Sequence, residues 1–180
     1  NGSHYNGNDA SYYEWWYFHF VSENGFAANI VLHETDIFGL EKNPYISTSL
    51  RLPDGEIKYG RTSLDIDKRE IEQFSDNLHV SGGVCLVSKI IEEEKSVKMS
   101  LNFFNSISFE TQIRKLYPPM VMNDGVLYDN PKLSGTSYWT VNIPFGMCEV
   151  KLEIEGRKYK FNCFAYQDHQ WGNLPIQNFA

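Results

Sequence analysis

Alternation of apolar and polar residues, broken at short intervals by turn dipeptides, constrains this chain more than any other feature. The run "MCEVKLEIEG" sets Cys148, Val150, Leu152 and Ile154 on one face and Glu149, Lys151, Glu153 and Glu155 on the other, then turns at Glu155-Gly156 into "RKYKFNCFAY". A period of two belongs to a half-buried strand, and the two runs read as a hairpin. The run "SVKMSLNFF" repeats the pattern, with Val97, Met99, Leu101 and Phe103 opposite Lys98, Ser100 and Asn102. Further turn signals stand at Asn24-Gly25, Phe38-Gly39, Pro53-Asp54-Gly55, Gly82-Gly83, Asp124-Gly125 and Phe145-Gly146. Short strands spaced by such turns predict an all-β chain: an antiparallel up-and-down meander closing into a barrel or sandwich, with little helix. The segment "LDIDKREIEQFSD" reads as one or two helical turns or an irregular connection, and "EEEK" at 92–95 as a solvated hairpin tip. Residues 115–136, which carry Pro118, Pro119 and Pro131, read as a long ordered loop over one barrel mouth.

Length and charge bound the partners. A chain of 180 residues suits one domain, 1–180, with the polar opening 1–11 set apart as flexible. The net charge of −7 and the scatter of Lys and Arg leave no electrostatic footprint for nucleic acid or for an anionic membrane surface. No apolar run approaches the roughly 18 residues that span a bilayer, so no transmembrane segment is expected. Cys85, Cys148 and Cys163 lie far apart without CxxC spacing and read as reduced core thiols, which fits the cytoplasm.

Aromatic residues concentrate in two places. In "YYEWWYFHF", Trp15, Tyr17 and His19 face one way while Glu14, Trp16, Phe18 and Phe20 face the other, so both sides of this strand are covered. A tryptophan here plugs the closed end of a barrel on the structural reading. Glu14 among indoles must find a hydrogen-bond donor or take up a proton. The second cluster is "YQDHQWG" at 166–172, after the last hairpin. In "SYWTVNIP", Trp139 shares a face with Val141 and Ile143, which points its ring inward.

Common catalytic signatures are absent: no G-x-S-x-G, no phosphate-cradling G-x-x-x-x-G-K-[ST], no dinucleotide fingerprint and no H-E-x-x-H. The histidines show no metal-ligand spacing, so neither a metal nor an organic cofactor is expected. What remains is Asp168 with buried indoles. Desolvation favours the neutral carboxyl, a form able to protonate an alkene, and an indole face suits the resulting cation. Equally, Asp168 caps a turn and Trp171 plugs the second barrel end.

These residues carry a resemblance. "EWWYF" at 14–18 on the first strand, with "YQDHQWG" at 166–172 after the last hairpin, resembles the carotenoid 1,2-hydratase family, also called hydroxyneurosporene synthase, and its AttH-like relatives. The resemblance implies a lipocalin-like barrel, the first of two in tandem, and acid-catalysed addition of water across an isoprenoid double bond. It makes Asp168 the proton donor, sets Trp171 and Trp139 around the cation, and gives Glu14, Trp15, Trp16, Tyr166 and His169 supporting places. Related lipocalin-like proteins look like cyclases or pericyclic catalysts. The chain departs from the family pattern in ending at "NLPIQNFA", where a second barrel usually follows, and in lacking a glycine shortly before Tyr166.

Three readings follow: a hydratase or cyclase acting in an aromatic-lined barrel pocket, a non-catalytic binder of a lipophilic small molecule, or half of a scaffold completed by a second lipocalin-like domain or by self-association. One geometric condition attaches to the first. Alternation continued past Phe161 and Cys163 turns His169 and Trp171 inward and Asp168 outward, so joint action of Asp168 and Trp171 requires a bulge or strand end near Gln167.

Overall fold

The computed structural model describes residue 4, then 12–35, 45–63, 77–82, 85–92, 95–103, 107–130, 132 and 135–173, with the backbone alone at 35, 62–63, 77–82, 85–92, 103 and 130. Among them eleven strands form one antiparallel sheet. In chain order they are β1 (Tyr13–Val21), β2 (Ala27–Thr35), β3 (Tyr45–Arg51), β4 (Ile57–Ser63), β5 (Asn77–Gly82), β6 (Cys85–Glu92), β7 (Ser96–Phe103), β8 (Ile107–Lys115), β9 (Val126–Asn130), β10 (Gly135–Ile154) and β11 (Arg157–Gly172). The sheet runs β4-β3-β2-β1-β11-β10-β8-β7-β6-β5, with β9 paired to β10 off this path. First and last strands are therefore neighbours, as in an up-and-down barrel. No helix among the described residues is long and apolar enough to cross a membrane.

Local chemistry explains the hairpins. Glu155 and Gly156 both take positive φ, 52° and 79°, which is the two-residue turn whose twist matches the flanking strands. Gly25 and Gly55, at 90° and 91°, serve the turns after β1 and β3. The expected alternation holds where it was read: Val97, Met99, Leu101, Val150, Leu152, Ile154, Phe161 and Cys163 are all buried.

A single cluster joins side chains from β1, β2 and β3 to others from β7, β8, β10 and β11, so the sheet curls around it as a lipocalin-like barrel does. Large rings fill that interior. Phe26 stacks on Phe161 at 4.1 Å, and Phe20 meets Phe109 at 5.1 Å. Each buried phenylalanine contributes about 1.5–3 kcal/mol, as does each buried Leu, Ile, Val or Met of the same cluster. Where β4 approaches the β10–β11 turn, Lys58 pairs with Glu155 and Arg157 with Glu56, both at 3.2 Å. These pairs are exposed and contribute little.

Two expectations need correction. Residues 115–136 are not one loop over a mouth: Met120 bridges Val141, Asn123–Gly125 make a 3-10 turn, and β9 pairs with the start of β10. The short run Val126-Leu127-Tyr128 has strand character enough to extend the sheet. Phe145-Gly146 is likewise not a turn. It lies inside the 20-residue strand β10, where the register against β11 shifts between Val141 and Ile143 and again between Ile143 and Gly146. Pro144 lacks an N–H for the ladder, and a Cβ on Gly146 would stand 2.7 Å from Ile113 Cγ2, so the strand bulges instead of ending. The expected flexible opening (His4 excepted), the turn at Phe38-Gly39, the connection 64–76, and parts of the Gly82-Gly83 turn and the 92–95 tip lie outside the described residues.

Candidate functional site: two faces of one strand

Strand β11 carries chemistry on both faces, because a period of two sends neighbouring residues of "YQDHQWG" to opposite sides. The ladder between β1 and β11 is unbroken, pairing Tyr13 with Gly172, Trp16 with His169, Tyr17 with Asp168 and Val21 with Phe164. The break expected near Gln167 is therefore absent. The irregularity lies across the sheet, in β10, and it changes the face of Trp139. Val141 pairs with Asp168 and Ile143 with Gln167, so the bulge puts Ile143 in the core while Trp139 and Val141 share the outer side with Asp168. Trp139 does not point into the barrel interior as alternation alone suggested.

On the outer face, the Tyr166 hydroxyl donates to Asp168 Oδ2 at 2.7 Å, and the Trp139 indole N–H is a second donor to the same carboxyl. Burial pushes the Asp168 carboxyl above its usual range, and these two donors only partly offset it. Burial also raises the Tyr166 and Tyr17 hydroxyls, with the neighbouring Asp168 charge acting in the same direction, so both stay protonated donors. Tyr17 meets Tyr166 edge-on at 6.3 Å and donates to Asn29 Oδ1 at 2.8 Å, an oxygen that also lies 2.6 Å from His19 Nδ1. A polar line thus crosses β2, β1, β11 and β10. Among the described residues, the two donors to Asp168, Tyr166 and Trp139, are both neutral.

The inner face holds a different assembly. Glu14 and His169 are fully buried, and His169 Nε2–H donates to Glu14 Oε1 at 2.8 Å. The Tyr12 hydroxyl donates to Glu14 Oε2 at 2.8 Å, and the His4 amide reaches both oxygens at 3.0 and 3.1 Å. Rings pack around this carboxylate. Trp16 stacks on His169 at 4.5 Å, while Trp171 stacks on His4 at 4.3 Å and on Tyr138 at 5.3 Å. Burial holds the His169 imidazole below its ordinary value, against the pull of Glu14. Glu14 thus found donors, the outcome that a buried carboxylate demands. The motif ends on Gly172 for a steric reason: a Cβ there would stand 2.3 Å from Thr136 O.

His4, Glu14 and His169 place one potential metal-ligand atom each within 4.8 Å of one another. The carboxylate already accepts hydrogen bonds on both oxygens, and the chemistry of this donor set is that of a hydrogen-bonded anchor for His4 and Tyr12 on the barrel wall. Two grooves, of about 920 and 540 Å³, lie along β7, β8 and β10 and beside the β10–β11 turn, and Asp168 lines neither.

Of the residues singled out from sequence, the fold brings Asp168, Tyr166 and Trp139 together on the outer face, with Trp15 on the same side of β1. It gathers Glu14, Trp16, His169 and Trp171 on the inner face. Asp168 and Trp171 do not share a face, and the aromatic interior is packed on itself instead of lining the Asp168 carboxyl. Sequence reasoning missed Tyr17, His19 and Asn29 as partners of the outer cluster. Their signal was present, since Tyr17 and His19 share the face of Trp15, and the hairpin at Asn24-Gly25 sets Asn29 opposite His19.

No protein-family model matches the sequence, and no curated protein matches it. Solved structures do match. An AttH-like protein from Nitrosomonas europaea aligns with a TM-score of 0.71 at 13% identity, over 97% of this chain and 54% of that one. CghA aligns with a TM-score of 0.61 at 14% identity, over 98% of this chain and 52% of its own. Kievitone hydratase from Nectria haematococca aligns with a TM-score of 0.60 at 16% identity, over 90% of this chain and 48% of its own. The chain therefore spans about half the length of these structures, and at such identities what it shares with them is the fold, a lipocalin-like curled antiparallel sheet.

Proposed function

We propose that the chain is an acid-catalysed hydratase or cyclase acting on an isoprenoid or polyene double bond, with Asp168 as the proton donor. The observation that carries this reading is the Asp168 carboxyl, raised by burial and held by two neutral donors, Tyr166 and Trp139. A carboxyl in that setting keeps its proton more readily than a solvated one and is aimed by fixed partners. In the step, the alkene π electrons form a C–H bond to the carboxyl proton, and the positive charge left on the second carbon faces the rings of Trp139 and Tyr17. Water attacks that carbon in a hydratase, and its proton returns to Asp168. In a cyclase a second double bond attacks it, the charge moves to the far carbon of that bond, and a neighbouring C–H gives its proton back to the Asp168 carboxylate to leave a new alkene. The step uses only a carboxyl proton and water. That one fold neighbour is a kievitone hydratase supports the class without fixing the substrate.

The outer face needs a cover for such chemistry, and we assign that place to a second lipocalin-like barrel, from further chain or another copy. Fold neighbours about twice as long support this, as do the exposed apolar residues Phe145, Met147 and Phe164 along the same side of β10 and β11, with exposed Tyr117 edge-on to Phe145. The test is incubation with acyclic isoprenoid polyenes in deuterated water, followed by mass spectrometry. Deuterium on carbon, abolished in Asp168→Asn, is the expected result. Polyene recovered without deuterium, but bound equally by both forms, would leave a lipophilic-ligand binder instead.

A further inference from the structure

Cys148 and Cys163 stand directly opposite each other on β10 and β11, two thiols on the core side of one hairpin. Counting back from the two-residue turn, with Ile154 paired to Arg157, puts them at a hydrogen-bonded pair, where Cα atoms lie about 5.5 Å apart. A disulfide accommodates Cα separations of about 4.4 to 6.8 Å, so the backbone already offers the spacing. The two thiols are hydrogen-bonded to each other, so the sulfurs need little movement to meet. We propose that Cys148 and Cys163 form a cross-strand dithiol that a peroxide oxidises reversibly to a disulfide.

The two sulfurs differ in ways that assign their parts. Cys148 is half-buried, whereas Cys163 is 4% exposed. The contact with Cys163 holds the Cys148 thiol below its usual range, while the same contact and burial push Cys163 up. Cys148, the more exposed of the two, is thus the sulfur that meets the oxidant. Its sulfur attacks one peroxide oxygen, an S–O bond forms, the O–O bond breaks, and the departing hydroxide takes a proton to leave as water. Cys163 sulfur then attacks Cys148 sulfur: the S–S bond forms, the S–O bond breaks, and hydroxide leaves with the Cys163 proton as a second water. Two thiols and one hydrogen peroxide give one disulfide and two waters. Exposed bridges are among those that reduce readily, and Cys148 keeps this one half-exposed.

The test uses the unsubstituted chain. It is treated with hydrogen peroxide, alkylated, digested without reductant and mapped by mass spectrometry. The expected result is a peptide linking Cys148 to Cys163, loss of both thiols together, and recovery of both with dithiothreitol. A Cys85→Ser background removes exchange with the third cysteine. In Cys163→Ser, dimedone should capture a sulfenic acid at Cys148, and in Cys148→Ser the same peroxide dose should leave Cys163 reduced. Loss of the thiols singly, a sulfinic acid at Cys148 with no linked peptide in the unsubstituted chain, or no loss of either thiol would overturn the proposal.

Discussion

Replacing Asp168 with asparagine separates a working acid from a structural one, because stability and activity should respond in different directions. Asparagine keeps the size of the side chain and an oxygen that accepts from Tyr166 or Trp139, but not from both as the carboxylate does. One hydrogen bond lost at a half-buried position costs about 1 kcal/mol. Against that, the substitution removes a charge whose burial is unfavourable, which is why the carboxyl is raised. Solvent on the exposed side screens this gain, so the two nearly cancel, and Asp168→Asn should unfold within about 1 kcal/mol of the parent at pH 7.

The pH dependence carries the sign. A carboxyl that holds its proton more tightly folded than unfolded contributes stability below its unfolded value of about 3.9, and loses that contribution as pH rises through the folded value. Acidification from pH 7 to about 4 should therefore favour the parent relative to the asparagine variant, a trend that denaturant midpoints at several pH values will read. Activity should fall by about 10²- to 10⁴-fold, the usual worth of a positioned general acid. A loss of more than about 3 kcal/mol at pH 7, the size expected when a buried pair is broken, would make Asp168 a structural group and refute the reasoning.

Removing the inner-face partner should do what removing Asp168 does not. His169→Gln removes the imidazole donor from the buried Glu14 carboxyl, which keeps its Tyr12 and His4 donors, and should cost about 1–3 kcal/mol in chemical denaturation. Because the His169 imidazole is lowered in the folded chain, its contribution is complete above the unfolded value of about 6.5 and is lost as pH falls toward the folded value. Parent stability should therefore decline on acidification below that point, and less so in His169→Gln. Gly172→Ala forces a Cβ against Thr136 O and should destabilise by about 1–3 kcal/mol, read as a lower midpoint with an unchanged slope. Phe109→Ala opens a cavity beside Phe20 in the filled interior and should cost about 3–5 kcal/mol without altering the proton affinity of Asp168, which nuclear magnetic resonance titration will check.

The parts of this molecule that were legible in advance are those written locally. The hairpin from Cys148 to Cys163 follows from alternation and from a turn that needs two residues of positive φ, and the pairing of Tyr166 with Asp168 follows from the same period. The face of Trp139 was illegible because one inserted residue at a bulge reverses every side chain beyond it. Pro144 and Gly146 signalled that irregularity, but a turn and a bulge use the same residue types, and only the contact of Gly146 with Ile113 on β8 distinguishes them. The Glu14–His169 pair joins residues from the two ends of the described chain, brought together by the β1–β11 ladder, and no local pattern encodes a partner so distant.

Which face holds the acid also bears on what the proposed reaction yields. A cation formed inside the barrel would meet the core cluster, where Phe20 packs on Phe109 and Phe26 on Phe161. On the outer face Asp168 is half-buried and keeps a solvent side, so water is the nucleophile at hand, and capture by water should outrun ring closure unless a cover folds the polyene back on itself. The barrel alone should therefore favour hydration. In water labelled with oxygen-18, the alcohol product should carry the label, and a covering barrel added in the same chain should raise the share of cyclised, unlabelled product. Ring closure without label by the uncovered chain would mean that the polyene is folded by a wall this face does not possess, and would move the reacting carbon away from Asp168.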